Sequence, residues 1–170
     1  MARGLIIPAD VEQPLEEREF AQLEYYQAAV GGWIESVDLP TLGVTLYVNE
    51  EGLIRHLPFN SRASFLWWYH VPEARQKAML VGDAVLVGMP DRNGDSTDLP
   101  TRARKLLLTP HRYRLEVRTF GDPNWYRDQA TYPDYWEAIV WAMVLLERIP
   151  TMEEVRVVPV KLNQVNQRDA

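Results

Sequence analysis

Tyr113-Arg114-Leu115-Glu116-Val117-Arg118-Thr119 sets Tyr113, Leu115, Val117 and Thr119 in alternation with Arg114, Glu116 and Arg118. A two-residue period of this kind marks a half-buried β-strand with a charged outer face. Downstream the period changes. Thr131 with Asp134 has the spacing of a capping box around Pro133 at the first helical position. Trp136, Ile139, Val140, Met143 and Leu146 then make one helical face, Ile149-Pro150 ends it, and residues 155–162 read as another strand. Upstream, Asp91-Arg92-Asn93-Gly94-Asp95-Ser96-Thr97-Asp98 is polar and bounded by Pro90 and Pro100, which predicts a linker over 90–100. Residues 101–163 thus form a strand-helix-strand module, and 164–170 a polar tail.

Residues 1–89 form a second pattern. A short strand at 5–7 precedes a helix over 16–30, with Phe20, Leu23, Gln27 and Val30 at helical spacing and Gly31-Gly32 as its stop. Strands follow at 33–37, 44–48 and 53–57, the last two joined as a hairpin by Asn49-Glu50-Glu51-Gly52. Asn60 or Ser61 caps a helix through Phe65-Leu66-Trp67-Trp68-Tyr69, Pro72 interrupts it, and 73–79 adds a turn. Residues 80–87 read as a buried strand bent at Gly82-Asp83. The expected class is α+β: a small mixed sheet with one or two helices, then the strand-helix-strand module.

Composition excludes more than it selects. The 170 residues are 46% hydrophobic and 25% charged, with no cysteine and only three histidines, His56, His70 and His111. Disulfides, thiolate catalysis and sulfur-ligated zinc are therefore excluded. No glycine-rich phosphate loop, serine elbow, paired-histidine helix or calcium loop is present. The expectation is a non-enzyme with no cofactor and no metal. Net charge is −6 and lies in the first half: residues 1–90 hold 12 acidic and 6 basic side chains, and residues 91–170 hold 12 of each. An acidic surface repels nucleic acid unless it imitates it. Arginines outnumber lysines 15 to 3, which points to a GC-rich genome. There is no signal-peptide pattern at the start and no apolar run near the ~18 residues that span a bilayer, so the expected location is cytoplasmic, away from membranes.

Four segments together carry a resemblance. They are Tyr26-Gln27-Ala28-Ala29-Val30-Gly31-Gly32-Trp33-Ile34-Glu35, Leu46-Tyr47-Val48-Asn49-Glu50-Glu51-Gly52, Leu57-Pro58-Phe59-Asn60-Ser61-Arg62-Ala63 and Val81-Gly82-Asp83-Ala84-Val85. In this order they resemble the domain of unknown function family 3846, over about residues 1–90. The family occurs in actinobacteria, their phages and other mobile elements. The resemblance implies such an origin and a counter-defence or host-takeover context, and it brings no catalytic residue with it. Physically the same residues read as fold determinants: turn glycines, a hairpin loop, a helix cap and an aspartate at a bent backbone.

Two clusters are candidates for binding. Arg102, Arg104, Lys105, Arg112, Arg114 and Arg118 stand against Glu116 alone between 101 and 118. With Arg112, Arg114 and Arg118 on one strand face, guanidinium groups there suit phosphates or an acidic partner. The plainer reading is a solvated face or docking within the chain. Trp67, Trp68, Tyr69 and His70 form the second cluster. Neighbouring helical side chains point about 100° apart, so at least one of the aromatics meets a second surface. Aromatic and arginine anchors are typical of interface hot spots. These residues favour a host protein as partner. The alternatives are nucleic acid on the arginines, a DNA mimic made by the acidic module, and a small ligand between the modules. An exposed strand edge would also allow self-association.

Overall fold

A computed structural model describes residues 1–161; the polar tail expected at 164–170 and the end of the last expected strand lie outside them. The chain divides into two compact units, Met1–Lys105 and the residues from Leu106 onward. The class is α+β, with two antiparallel sheets and four α-helices among the described residues.

The first unit holds β1 (Ala2–Ile7), β2 (Glu16–Phe20), α1 (Leu23–Val30), β3 (Ile34–Leu39), β4 (Val44–Asn49), α2 (Ser61–His70) and β5 (Ala84–Gly88). Its five-stranded sheet runs β2-β1-β5-β4-β3, and the expected mixed sheet is antiparallel throughout. One face carries Ile6, Val85 and Val87, against which α1 buries Tyr26 and Val30 together with Phe20. Phe20 and Tyr26 stack with centroids 4.8 Å apart. Burying a side chain such as Phe20 contributes about 2–3 kcal/mol. The other face carries Leu5, Ile7, Val44, Leu46 and Leu86, all fully buried.

Several expected elements moved, each for a local reason. The helix expected over 16–30 is a strand followed by a shorter helix. Glu16–Phe20 pairs with β1 from Ala2↔Phe20 to Ile6↔Glu16, so ladder bonds override the helical preference of a glutamate-rich run. Its charges suit an edge strand. Gly31 does stop α1, in the left-handed conformation at φ 80°. The hairpin lies between β3 and β4 over the turn at 40–43, not at 49–52, and 53–57 is a series of turns rather than a strand. Gly52 is needed there for close approach: a methyl group on it would stand 2.7 Å from Val81. Asn49 anchors these turns instead, donating to the Val30 carbonyl and accepting from the Glu51 N–H.

Asn60 caps α2 as expected, accepting from the Ala63 N–H at 3.0 Å. Its amide also donates to the carbonyls of Ile7 and Gly82 at 2.8 and 2.9 Å, tying the helix to the sheet. Asp83 accepts the Ala9 N–H at 2.9 Å beside the bend at Gly82. Beyond α2 the chain makes a 3-10 turn at Pro72–Ala74.

The stretch expected as a linker is sewn to the first sheet. Gly88 N–H donates to Thr97, Leu99 N–H donates to Arg3, and Asp98 accepts the Arg3 N–H. These bonds place 90–100 within the first unit. Residues Thr101–Leu108 then form α3, a helix absent from the sequence reading, with Ala103 and Leu107 buried one turn apart.

The second unit holds β6 (Tyr113–Thr119), β7 (Tyr126–Arg127), α4 (Tyr135–Arg148) and β8 (Met152–Pro159), with strands in the order β7-β6-β8. The cap of α4 is Asp134, which accepts the Glu137 N–H at 2.8 Å, rather than Thr131. Ala138, Ile139, Ala142 and Met143 are its buried face, and Tyr135 packs edge-on against Tyr113 of β6 with centroids 5.6 Å apart.

Candidate functional site

The residues of the expected basic cluster are divided between the two units. Arg102 and Arg104 lie on α3, whereas Arg112, Arg114 and Arg118 lie on or beside β6. Arg104 is an exposed ion pair with Glu17 of β2, which holds that carboxyl below its ordinary range. Arg112 donates to the Thr131 hydroxyl at 2.8 Å. Arg114, expected on the outer face, is only 7% exposed. Arg118 pairs with Glu153 at 3.1 Å and lies over the Trp125 ring. Arg104 and Arg118 thus each already hold a carboxylate. The acids of β2 are likewise paired: Glu16 with Arg18, Glu17 with Arg104 and Glu19 with Arg3. Each pair offsets one negative charge of this acidic run.

The aromatic segment of α2 spreads as its spacing requires, all four residues being half-buried. Trp68 donates its indole N–H to the Ala78 carbonyl at 2.8 Å and packs against Phe59 and Phe65. His70 meets the Thr41 hydroxyl at 2.8 Å through Nδ1 and packs edge-on to Tyr69. Burial, with the charge of Arg102 adding, holds its imidazole down to about 4. Trp67 lines a surface groove.

This groove of about 460 Å³ lies beside β3. Glu35, Ser36, Val37 and Asp38, four consecutive residues of β3, line it with Val48, Leu53, Trp67, Met79 and Leu80. Glu50 also lines it and no lysine or arginine does, while the Asp38 carboxylate accepts from the Thr45 hydroxyl at 2.7 Å. Among the described residues β3 is an outer strand of the sheet, paired only with β4. The Glu50 N–H donates to the Trp33 carbonyl at 2.9 Å, one step beyond the Ile34↔Asn49 pair. Because bonded and non-bonded pairs alternate along an antiparallel ladder, Glu35, Val37 and Leu39 bond β4. Ile34, Ser36 and Asp38 therefore turn their N–H and C=O groups outward.

Beside the groove the turns after β4 expose apolar side chains. Ile54 is 80% and Leu53 62% exposed, and Met79 is nearly half exposed. The turns are nonetheless held: Leu57 N–H donates to Gly52, Arg55 N–H donates to Glu51, and the Arg55 guanidinium reaches the Gly31 carbonyl at 2.8 Å. The alternation expected of a strand over 53–57 hides Leu53 and Ile54, and the turn expected over 73–79 hides Met79. The available signal was Leu53-Ile54, two adjacent apolar residues where a half-buried strand would alternate.

Among the described residues no cluster of histidine, aspartate and glutamate could hold a metal ion. No helix among them is long and apolar enough to cross a membrane. The profile of a domain of unknown function, DUF3846, matches residues 2–111. No curated protein and no solved structure matches the chain.

Proposed function

The chain belongs to the DUF3846 family, and we propose that it is a non-catalytic binding protein of a phage or other mobile element that engages a protein of the host cytoplasm. The observation that carries this reading is the apolar groove beside β3 with Leu53, Ile54 and Met79 exposed around it. Exposed apolar side chains that cluster on a held scaffold mark interaction sites, because their hydration is unfavourable until a partner covers them. Trp67 and Met79 supply an aromatic and a polarizable anchor of the kind that dominates interface energetics. The arginines of β6, spent inside their own unit, give less support to nucleic acid.

The test is capture from an actinobacterial lysate by the tagged full chain, with and without nuclease, beside the variants Ile54→Asp and Met79→Asp. The expected result is a host protein retained after nuclease treatment and lost with both variants. Capture that disappears with nuclease, or that survives both substitutions, would overturn the reading.

A further inference from the structure

We infer that the outward edge of β3 is a strand-addition site for an extended segment of a partner protein that alternates basic and apolar side chains. This deepens the binding role proposed above and rests on it. Three features converge. Ile34, Ser36 and Asp38 present unpaired backbone donors and acceptors along the edge, and Glu35, Ser36 and Asp38 are exposed. Four consecutive residues of one strand can line a single groove only if the strand's backbone edge, and not just one of its faces, borders it. An extended chain hydrogen-bonded to that edge would send alternate side chains to opposite sides of the sheet. One set would enter the groove formed by Val37, Val48, Trp67, Met79 and Leu80.

Charge selects the occupant. By alternation Glu35 stands on the groove face and Asp38, whose carboxylate accepts from the Thr45 hydroxyl at 2.7 Å, on the other. Both faces of the edge thus carry a carboxylate, and a segment with arginine or lysine at its polar positions gains where an acidic one is repelled. The same charges disfavour a second copy of this chain. Two antiparallel β3 strands joined through their outward groups would centre on Ser36, which crowds Glu35 and Asp38 of both copies along one seam with no basic residue to offset them. Carboxylates on an exposed edge are a known protection against such self-pairing.

The test uses the full chain and short labelled peptides, read by fluorescence anisotropy. One peptide alternates arginine and leucine, a second alternates glutamate and leucine, and two more carry N-methyl groups on alternate amides of the arginine peptide in either phase. The arginine peptide should bind on the order of tenfold more tightly than the glutamate peptide, and more weakly as salt rises. N-methylation should abolish binding in one phase and spare it in the other, since only alternate amides face β3. Ser36→Pro removes an outward N–H while leaving the bonds of Glu35 and Val37 to β4, and should weaken binding by a similar factor.

Equal binding of all N-methylated peptides would overturn strand addition. If Met79→Asp still abolished lysate capture, the binding role would stand without it. Failure of every peptide, with capture intact, would have the same meaning. A dimer that forms at micromolar concentration and is lost in Ser36→Pro would overturn the choice of occupant.

Discussion

The guanidinium of Arg156 lies over the indole of Trp125, 4.1 Å from the ring centroid, and Arg118 approaches the same ring at 4.9 Å. Both cations are also paired across the sheet, Arg156 with Glu116 at 2.7 Å and Arg118 with Glu153 at 3.1 Å. Removing the ring should therefore cost stability rather than binding. Trp125→Ala is expected to lower the stability of the second unit by about 1 kcal/mol, the usual worth of such contacts at partly exposed sites. Hydrogen exchange of the β6–β8 amides measures it, and lysate capture by the variant should be unchanged.

Asn60 satisfies three backbone groups while fully buried. Asn60→Ala orphans the carbonyls of Ile7 and Gly82 and the N–H of Ala63, and each buried unpaired group carries a desolvation penalty. A loss of about 2–4 kcal/mol is expected in urea unfolding. Asn60→Asp should be comparably damaging, because a carboxylate cannot donate to the two carbonyls.

The imidazole of His70 is held down to about 4, chiefly by burial and then by Arg102. The unfolded chain takes up that proton near 6.5, so between these values it binds more protons than the folded chain. Stability from this group is complete above pH 6.5 and falls as the pH drops toward 4, by an amount of order 3 kcal/mol. His70→Gln should flatten the stability–pH curve in that window relative to wild type. Identical slopes for the two proteins would refute the assignment.

Gly88 marks where 90–100 returns to the sheet. A methyl group there would collide with the Thr97 hydroxyl and the Asp98 carbonyl. Gly88→Ala is expected to cost about 1–3 kcal/mol through overpacking. It should also raise hydrogen exchange at Leu99, whose N–H bonds Arg3.

Ile54 makes the opposite case. At 80% exposure its replacement by aspartate should change stability by no more than about 0.5 kcal/mol. Matching melting temperatures for Ile54→Asp and wild type, alongside lost capture, would separate a binding role from a folding role.

Much of the second unit was legible because its periods are clean: Tyr113 to Thr119 alternates, and Ile139 and Met143 of the expected helical face are buried at helical spacing. The Asn60 cap, the Gly31 stop and the bend at Gly82 were legible for the same reason, since each rests on a residue with a specific local conformation or hydrogen bond. Glu16–Phe20 was not, because a charged edge strand has no apolar period and is specified by its pairing with β1. Thr101–Leu108 was missed although Ala103 and Leu107 stand one turn apart, since its arginines were read as a binding cluster.

Local sequence by itself determined the α+β class, the Asn60 cap of α2, the Gly31 stop of α1 and the alternating strand of the second unit. These depend on interactions between residues close along the chain, whose energies are set by side-chain type and spacing. Tertiary structure alone decided which arginines are spent in ion pairs, that 90–100 joins the first sheet, and that the edge of β3 borders an acidic-rimmed groove. Those outcomes depend on pairing between residues tens of positions apart, as in Arg104 with Glu17 or Leu99 with Arg3, and no local period encodes such a partner.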